Sequence, residues 1–381
     1  MNALLFEPVS LRKLTLANRI VVEPMTQFSA QDGTPGDWHM MHLGQYAVSG
    51  AGLVFTESTY VAPEARNTPM CLSLYSDEQE HALARIKRFF DAYGTARFGV
   101  QLCHAGRRAS AREPWLGGGP RLPSDGGYET WAPSPVPIST RWPLPREIDE
   151  GEMEKIRQTF VAAARRAHRA GADLIELHCA HGYLMHQFLS PLSNRRTDRY
   201  GGRLENRLRF PLEVFQALRG EWPEDKPMGV RVSATDWIEG GWDLPQTVEL
   251  ARALEAFGCD FIDVSSGGLS AEQRIVVGPG YQTPFAAAIK AAVRMKVIAV
   301  GLITDPHQAE GILQDGHADL IGLARAMLYD PRWPWHAARA LGVNLAYPRQ
   351  YERAHPSRSH GAGINAPGNA APGATMEVRS T

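Results

Sequence analysis

Cysteine is scarce in this chain: four residues among 381, at Cys71, Cys103, Cys179 and Cys259. They stand far apart, and no C-x-x-C occurs. That spacing argues against an iron–sulfur cluster, a structural zinc or a disulfide framework, and it suits a reduced, cytoplasmic setting. Long apolar runs are missing too; none approaches the roughly 20 residues that a membrane-spanning helix needs. Neither sign of charge dominates, since 40 Lys and Arg stand against 41 Asp and Glu for a net charge of −1. A chain so balanced has no electrostatic footprint for nucleic acid or an anionic membrane. Its first residues, Met1-Asn2-Ala3-Leu4-Leu5-Phe6-Glu7-Pro8, lack the basic region and apolar core of a signal peptide. No G-x-G-x-x-G follows the first strand-like run, which leaves a doubly wound dinucleotide-binding sheet without its fingerprint.

What is present is alternation. The apolar fraction of 44% and charged fraction of 21% are ordinary for a globular chain. Strand-like apolar runs occur at 19–24, 52–57, 98–103, 172–178, 227–232, 260–264, 297–301 and 319–323. Between them lie amphipathic helical patterns at 77–92, 152–170, 204–218, 244–257, 305–314 and 331–341. Glycines at 171, 258 and 316 fall where helices should stop. Eight βα units on one chain predict an α/β fold, a (β/α)₈ TIM barrel, occupying residues 1–353. Residues 104–149, rich in Pro, Gly and Trp, are long for a connection and read as an ordered cap over the barrel mouth. Residues 354–381, dominated by Ala, Gly, Pro and Ser, read as a disordered tail.

The most informative stretch follows the fourth strand: His178-Cys179-Ala180-His181-Gly182-Tyr183. Parallel α/β folds place their chemistry where strands end. Two imidazoles there can donate to a substrate oxygen or ligate a metal, and a phenol can donate a proton. The other strand ends add Pro24-Met25-Thr26, Glu57-Ser58, Gln101, Arg231, Ser265-Ser266-Gly267-Gly268, Gly301 and Ala324-Arg325. Glycine and Arg325 after strands seven and eight suit a phosphate. For Arg231 an internal barrel salt bridge, and for Gln101 a satisfied core amide, are the plain structural alternatives. They do not explain why all these polar features lie at one end.

Taken together, these stretches resemble the Old Yellow Enzyme family of flavin-dependent ene-reductases, and in particular its thermophilic-like subclass. The resemblance spans residues 3 to about 353. It is carried by L-T-L-A-N-R-I-V-V-E-P-M at 14–25, V-Q-L-C-H-A-G-R at 100–107, and E-L-H-C-A-H-G-Y-L from Glu176. S-N-R-R-T-D-R-Y-G-G-R-L-E-N-R-L-R at 193–209, Gly301-Leu302-Ile303-Thr304 and Gln350-Tyr351-Glu352-Arg353 complete it. The stretch 193–209 reads as structural, a loop and helix start with internal ion pairs. The resemblance implies bound FMN, NADPH or NADH as hydride donor, and an activated alkene as the second substrate in a ping-pong cycle. It implies cofactor contacts from Pro24, Met25, Thr26, Ser58, Gln101, Arg231, Ser266, Gly301, Ala324 and Arg325, and no metal. His178 and His181 would hold a carbonyl or nitro oxygen, and Tyr183 would protonate the α carbon. Phe28 would line the substrate pocket. A homodimer or homotetramer is implied, with Arg353 entering a neighbouring active site; a surface salt bridge is the alternative for that arginine.

Three positions depart from the subclass pattern. Thr26 stands where cysteine is usual, Phe28 where tyrosine is usual, and Ala324 where glycine is usual. Two other functions are the alternatives: a metal-dependent barrel hydrolase using His178 and His181, and a flavin-binding sensor with little turnover. Against the hydrolase, no H-x-H follows the first strand and few carboxylates occupy strand ends.

Overall fold

The computed structural model describes residues 3–358. Eight parallel strands close on themselves: β1 (Ile20–Val22), β2 (Leu53–Phe55), β3 (Arg97–Cys103), β4 (Leu174–Cys179), β5 (Met228–Ser233), β6 (Phe261–Ser265), β7 (Lys296–Val300) and β8 (Leu320–Leu323). Each pairs with the next, and β8 returns to β1, where Leu323 lies opposite Val22. This is the closed barrel that the alternation predicts. A two-residue strand, Thr59–Tyr60, adds to β3 beyond the end of β2.

The surrounding helices begin on side-chain caps. Ser76 and Gln79 form a capping box for Asp77–Tyr93, as do Asp149 and Glu152 for Glu150–Arg169. Asp243 and Asp305 cap Leu244–Ala256 and Pro306–Gln314 through N–H groups of the first turn. The helices turn apolar stripes to the sheet, such as Leu83, Ile86 and Phe90 on one and Met153, Ile156 and Phe160 on the next. Four helices escaped the sequence reading: Asp37–Ala47, Thr283–Lys290 and the short Leu184–Leu189 and Arg325–Tyr329.

The barrel interior is layered. Near the N-terminal strand ends, Val21, Leu53, Phe55, Leu174, Phe261, Ile298 and Leu320 pack into an apolar plug. An antiparallel hairpin, Val9–Leu11 with Leu14–Leu16, adds Val9, Leu11 and Leu16 to that plug from below. Above it, inward positions two residues further along change character. Glu23 follows β1, Gln101 lies on β3, Glu176 on β4, Arg231 on β5 and Asp263 on β6, all buried. Register sets Gln101 opposite Glu176, and Arg231 opposite both His178 and Asp263.

Residues 104–149 hold three 3₁₀ turns and a short two-stranded ribbon, Trp131–Ala132 with Arg146–Glu147. Buried Arg107 anchors the segment by donating to Val136 O at 2.9 Å and Leu269 O at 3.0 Å. All four cysteines are buried and free. Residues 346–358 belong to a separate unit. Within it a 3₁₀ turn, Arg349–Ala354, carries Arg353, and Glu352 pairs with Arg358 at 2.7 Å. Most of the tail expected at 354–381 lies outside the described residues.

Candidate active site

β4 ends on His178 and Cys179. The Nδ1 of His178 accepts the backbone N–H of Ala180 at 3.1 Å, which places the ring proton on Nε2. His181 follows with a left-handed backbone, φ +57°, an unusual state for a residue with a side chain. Its N–H donates to Ser233 Oγ at 2.9 Å, and Ser233 donates to Gly267 O at 2.8 Å. His181 Nδ1 lies 3.3 Å from His178 Nε2, and its Nε2 lies 2.7 Å from Ser265 Oγ. A hydroxyl donates or accepts, so Ser265 admits either tautomer of His181. With the proton on Nδ1, both imidazoles carry an N–H at nitrogens 3.3 Å apart. Burial, with Arg231 adding to it, holds both imidazoles well below the ordinary histidine range, so both are neutral at pH 7.

Tyr183 sits edge-on to His178, with ring centroids 4.9 Å apart, and edge-on to Tyr60 at 6.4 Å. Burial pushes its phenol up to about 12, against a downward pull from Arg108, so it keeps its proton at neutral pH. The Arg108 guanidinium lies 5.8 Å from the Tyr183 ring centroid and donates to Gly268 O at 2.6 Å. This turn is tied from beneath. Gly182 N donates to His186 Nδ1 at 2.9 Å, and His186 Nε2 lies 2.9 Å from Asp236 Oδ1. Asp236 Oδ2 accepts from Ser190 Oγ at 2.6 Å and Trp242 N at 2.8 Å.

The polar layer lies below. Ser58 Oγ donates to Gln101 Oε1 at 2.8 Å, and Gln101 Nε2 donates to Glu176 Oε1 at 2.7 Å. Arg231 Nη2 is 2.9 Å from Glu23, and its Nε is 2.8 Å from Asp263. The salt bridge and the held amide, raised as alternatives from sequence, are thus both present. They leave capacity over. An amide offers two donors and two acceptor lone pairs, of which Gln101 uses one each here, and Arg231 Nη1 takes no part in these pairs.

On the far side of the mouth, Ser266 Oγ donates to Gln282 Oε1 at 2.6 Å, and Gln282 Nε2 donates to Val300 O at 2.9 Å. Gln282 thereby joins the ends of β6 and β7 beside Gly301, whose φ is +129°. Ala324 precedes a short helix, Arg325–Tyr329, with φ −111°, a sign that a methyl side chain tolerates. Arg325 is exposed. Pro24, Met25, Thr26 and Phe28 are half-buried around the mouth. Their loop is fixed by Glu57, which accepts from Gln27 N at 3.1 Å and meets His39 Nε2 at 3.1 Å. Phe28 stands edge-on to Trp115 of the 104–149 segment, centroids 5.6 Å apart.

Residues 4–344 match the NADH:flavin oxidoreductase / NADH oxidase family. The chain belongs to that family. An NADPH dehydrogenase of Geobacillus thermodenitrificans is 42% identical over 355 residues, 93% of this chain and 99% of that one. An NADPH dehydrogenase of Bacillus subtilis is 40% identical over 351 residues, 92% and 98% of the two chains. Among solved structures, morphinone reductase in complex with tetrahydroNAD superposes with a TM-score of 0.74 at 26% identity, covering 92% of this chain and 97% of that one. This flavin oxidoreductase is therefore an NAD(P)H-dependent enzyme of the Old Yellow Enzyme type that uses FMN.

The donor set fits that cofactor. The spare donor and acceptor of Gln101 match a pyrimidine edge, which presents both, and the Arg231 guanidinium matches an edge that becomes negative on reduction. Several of the flavin oxidoreductase's polar groups escaped the sequence reading. Glu176 and Asp263 are acids inside strands and Glu23 directly follows one, and their signal was an inward register shared with Arg231. Gln282 and Tyr60 had no sequence signal beyond their types. Arg353 is exposed within its own turn.

Close approach of two loops holds the histidine turn. A Cβ on Gly268 would stand 2.6 Å from His181 Cα, and Gly268 has φ +92°. Gly268→Ala is accordingly expected to displace His181 and alter the absorbance of the bound flavin while FMN content stays near that of the parent. Spectral titration of the purified flavin oxidoreductase measures both.

Proposed function

We propose that the enzyme passes hydride from NAD(P)H, through FMN, to the C=C bond of α,β-unsaturated carbonyl or nitro compounds. The observation that carries this reading is the pair of neutral imidazole donors, His178 and His181, beside a protonated phenol, Tyr183. When bound, FMN supplies the hydride chemistry; the protein supplies position and field. Gln101, Arg231 and Ser58 would hold its ring, with Pro24, Met25 and Thr26 alongside, and Ser266, Gly301, Ala324 and Arg325 its phosphate side. His178 Nε2–H and His181 Nδ1–H bind the alkene's carbonyl or nitro oxygen. Charge develops on that oxygen as the β carbon accepts hydride, and preorganised donors stabilise it more than they stabilise the ground state. Tyr183 Oη holds the proton for the α carbon. Its phenol is protonated at working pH, so it acts as an acid without prior proton uptake.

Phe28 brings an apolar ring to the substrate pocket where the family pattern has a phenol. Arg353, exposed near the end of the described chain, is proposed to enter the active site of a neighbouring copy in a homodimer or homotetramer. The metal-dependent hydrolase is set aside by family membership.

Anaerobic reduction of the purified protein by NADPH or NADH, followed by mixing with a cyclic enone or a nitroalkene, tests the proposal. Rapid reoxidation with saturated product is expected. Reoxidation by dioxygen alone, with both alkenes inert, would overturn it and favour the sensor reading. At Thr26, substitution by cysteine is expected to shift the flavin midpoint potential and the balance of the two half-reactions with the fold intact, because a thiol is more acidic and polarizable than a hydroxyl. Potentiometric titration with stopped-flow kinetics measures these. Equal values in parent and variant would make position 26 a packing site.

A further inference from the structure

The layer beneath the mouth holds more acid than the mechanism uses. Glu23, Glu176 and Asp263 surround one guanidinium, and all three are buried inside the barrel. Glu23 and Asp263 meet Arg231 at 2.9 and 2.8 Å and also meet each other, whereas Glu176 has one oxygen held by Gln101 and the other buried without a hydrogen-bond partner among the described residues. The site is also built to admit Glu23, because a Cβ on Gly322 would lie 1.9 Å from its Oε1. One arginine compensates one buried carboxylate, and a second uncompensated charge costs several kcal/mol. The layer therefore stays near neutrality by keeping protons on its acids.

We propose that Glu176, with Glu23 and Asp263, is a positioning group for the flavin reaction: the three carboxyls set the charge that Arg231 and Gln101 present to the cofactor, and Glu176 takes up a solvent proton when the cofactor receives hydride.

Glu176 acts through Gln101, its hydrogen-bond partner. The charged and titratable groups facing it are Arg231 from β5, Asp263 from β6, Glu23 from β1, the His178 imidazole on its own strand, and the buried thiols of Cys179 and Cys259. Burial and then Asp263 raise its pKa, to about 8, against a downward pull from Arg231. Burial raises Glu23 and Asp263 as well. Glu176 is thus protonated at pH 7 and largely ionised at pH 8.5. Hydride arriving above the layer adds one negative charge, which raises the proton affinity of Glu176 further. The balance is simple. Hydride transfer from NADPH releases and consumes no free proton; at pH 8.5 one H⁺ leaves solvent and forms an O–H bond on the Glu176 carboxylate.

The inference rests on FMN binding and not on the alkene reading, and no alkene enters its test. Holoenzyme is reduced anaerobically with one equivalent of NADPH in weak buffer, and proton uptake is followed with a pH indicator. Near-zero uptake is expected at pH 7 and a clear fraction of a proton at pH 8.5. Glu176→Gln keeps the oxygen that accepts from Gln101 but cannot ionise, so its uptake should be near zero at both. In the parent, the midpoint potential should fall more steeply with pH between 8 and 9 than between 6 and 7, and in the variant it should not. Absence of uptake in the parent at pH 8.5, which needs no variant, would overturn the proposal. So would an uptake or potential curve unchanged in Glu176→Gln.

Discussion

Replacing His178 or His181 with alanine is expected to slow the oxidative half-reaction by about 10²–10³-fold, the usual cost of one oxyanion donor. In the proposed reaction each change removes an N–H from the oxygen on which negative charge gathers. The reductive half-reaction and FMN content should change little, since Gln101, Arg231 and the glycine-lined side of the mouth are untouched. The two losses should not add. His178 Nε2 and His181 Nδ1 are 3.3 Å apart and in the proposed reaction would donate to one oxygen, so removing the first already costs most of the geometry. Because both rings are held neutral, the parent rate should show no break near pH 6.5 from these residues. Stopped-flow reoxidation by a cyclic enone, from pH 6 to 8, measures all of this. Parent-like reoxidation in both variants would remove the histidines from the mechanism.

Loss of the Asp236 carboxylate should be the most damaging single change to stability near the site. Asp236→Ala leaves His186 Nε2, Ser190 Oγ and Trp242 N without their shared acceptor in a dry interior, and breaking such a buried pair costs about 3–5 kcal/mol. The melting temperature should fall by many degrees, and the surviving folded fraction should bind phenolic inhibitors weakly, because His186 holds the Gly182 amide next to His181. Asp236→Asn keeps one acceptor oxygen and should recover part of both. Burial pushes Asp236 upward, but His186 and the hydrogen bonds outweigh it and leave its pKa below the usual aspartate range. Its contribution is therefore present above about pH 4 and lost as pH falls through the depressed value. Thermal melts at pH 7 and at pH 3.5 separate these terms: the gap between parent and Asp236→Ala should narrow at the lower pH.

Strands and long helices were legible because each carries its own periodicity. The predicted strand at 297–301 is found as Lys296–Val300, and the helix at 77–92 as Asp77–Tyr93. Asp37–Ala47 was missed for a physical reason: His39 and His42 are buried beside Leu43 and Tyr46, so polar and apolar faces are mixed, and Gly36 offers no side-chain oxygen as a cap. The histidines and tyrosine after β4 were legible because six consecutive residues deliver all three. The carboxyl layer was not, because its members come from separate strands and meet only through closure. An acid in an apolar run gives no sign of direction until register places it inward. Gln282 illustrates the remainder. It sits in a loop, and its contacts to Ser266 and Val300 exist only once β6 and β7 lie side by side.

The hydrophobic plug made by Val9, Leu11 and Leu16 with the lower strand residues has a kinetic consequence. It seals the barrel at the end remote from the histidines, so in the proposed reaction nicotinamide and alkene would share one doorway and take turns. At high concentration the alkene should then occupy that doorway when the dinucleotide needs it. Steady-state velocity would pass through a maximum and decline as the alkene is raised, and extra NADPH would relieve the decline.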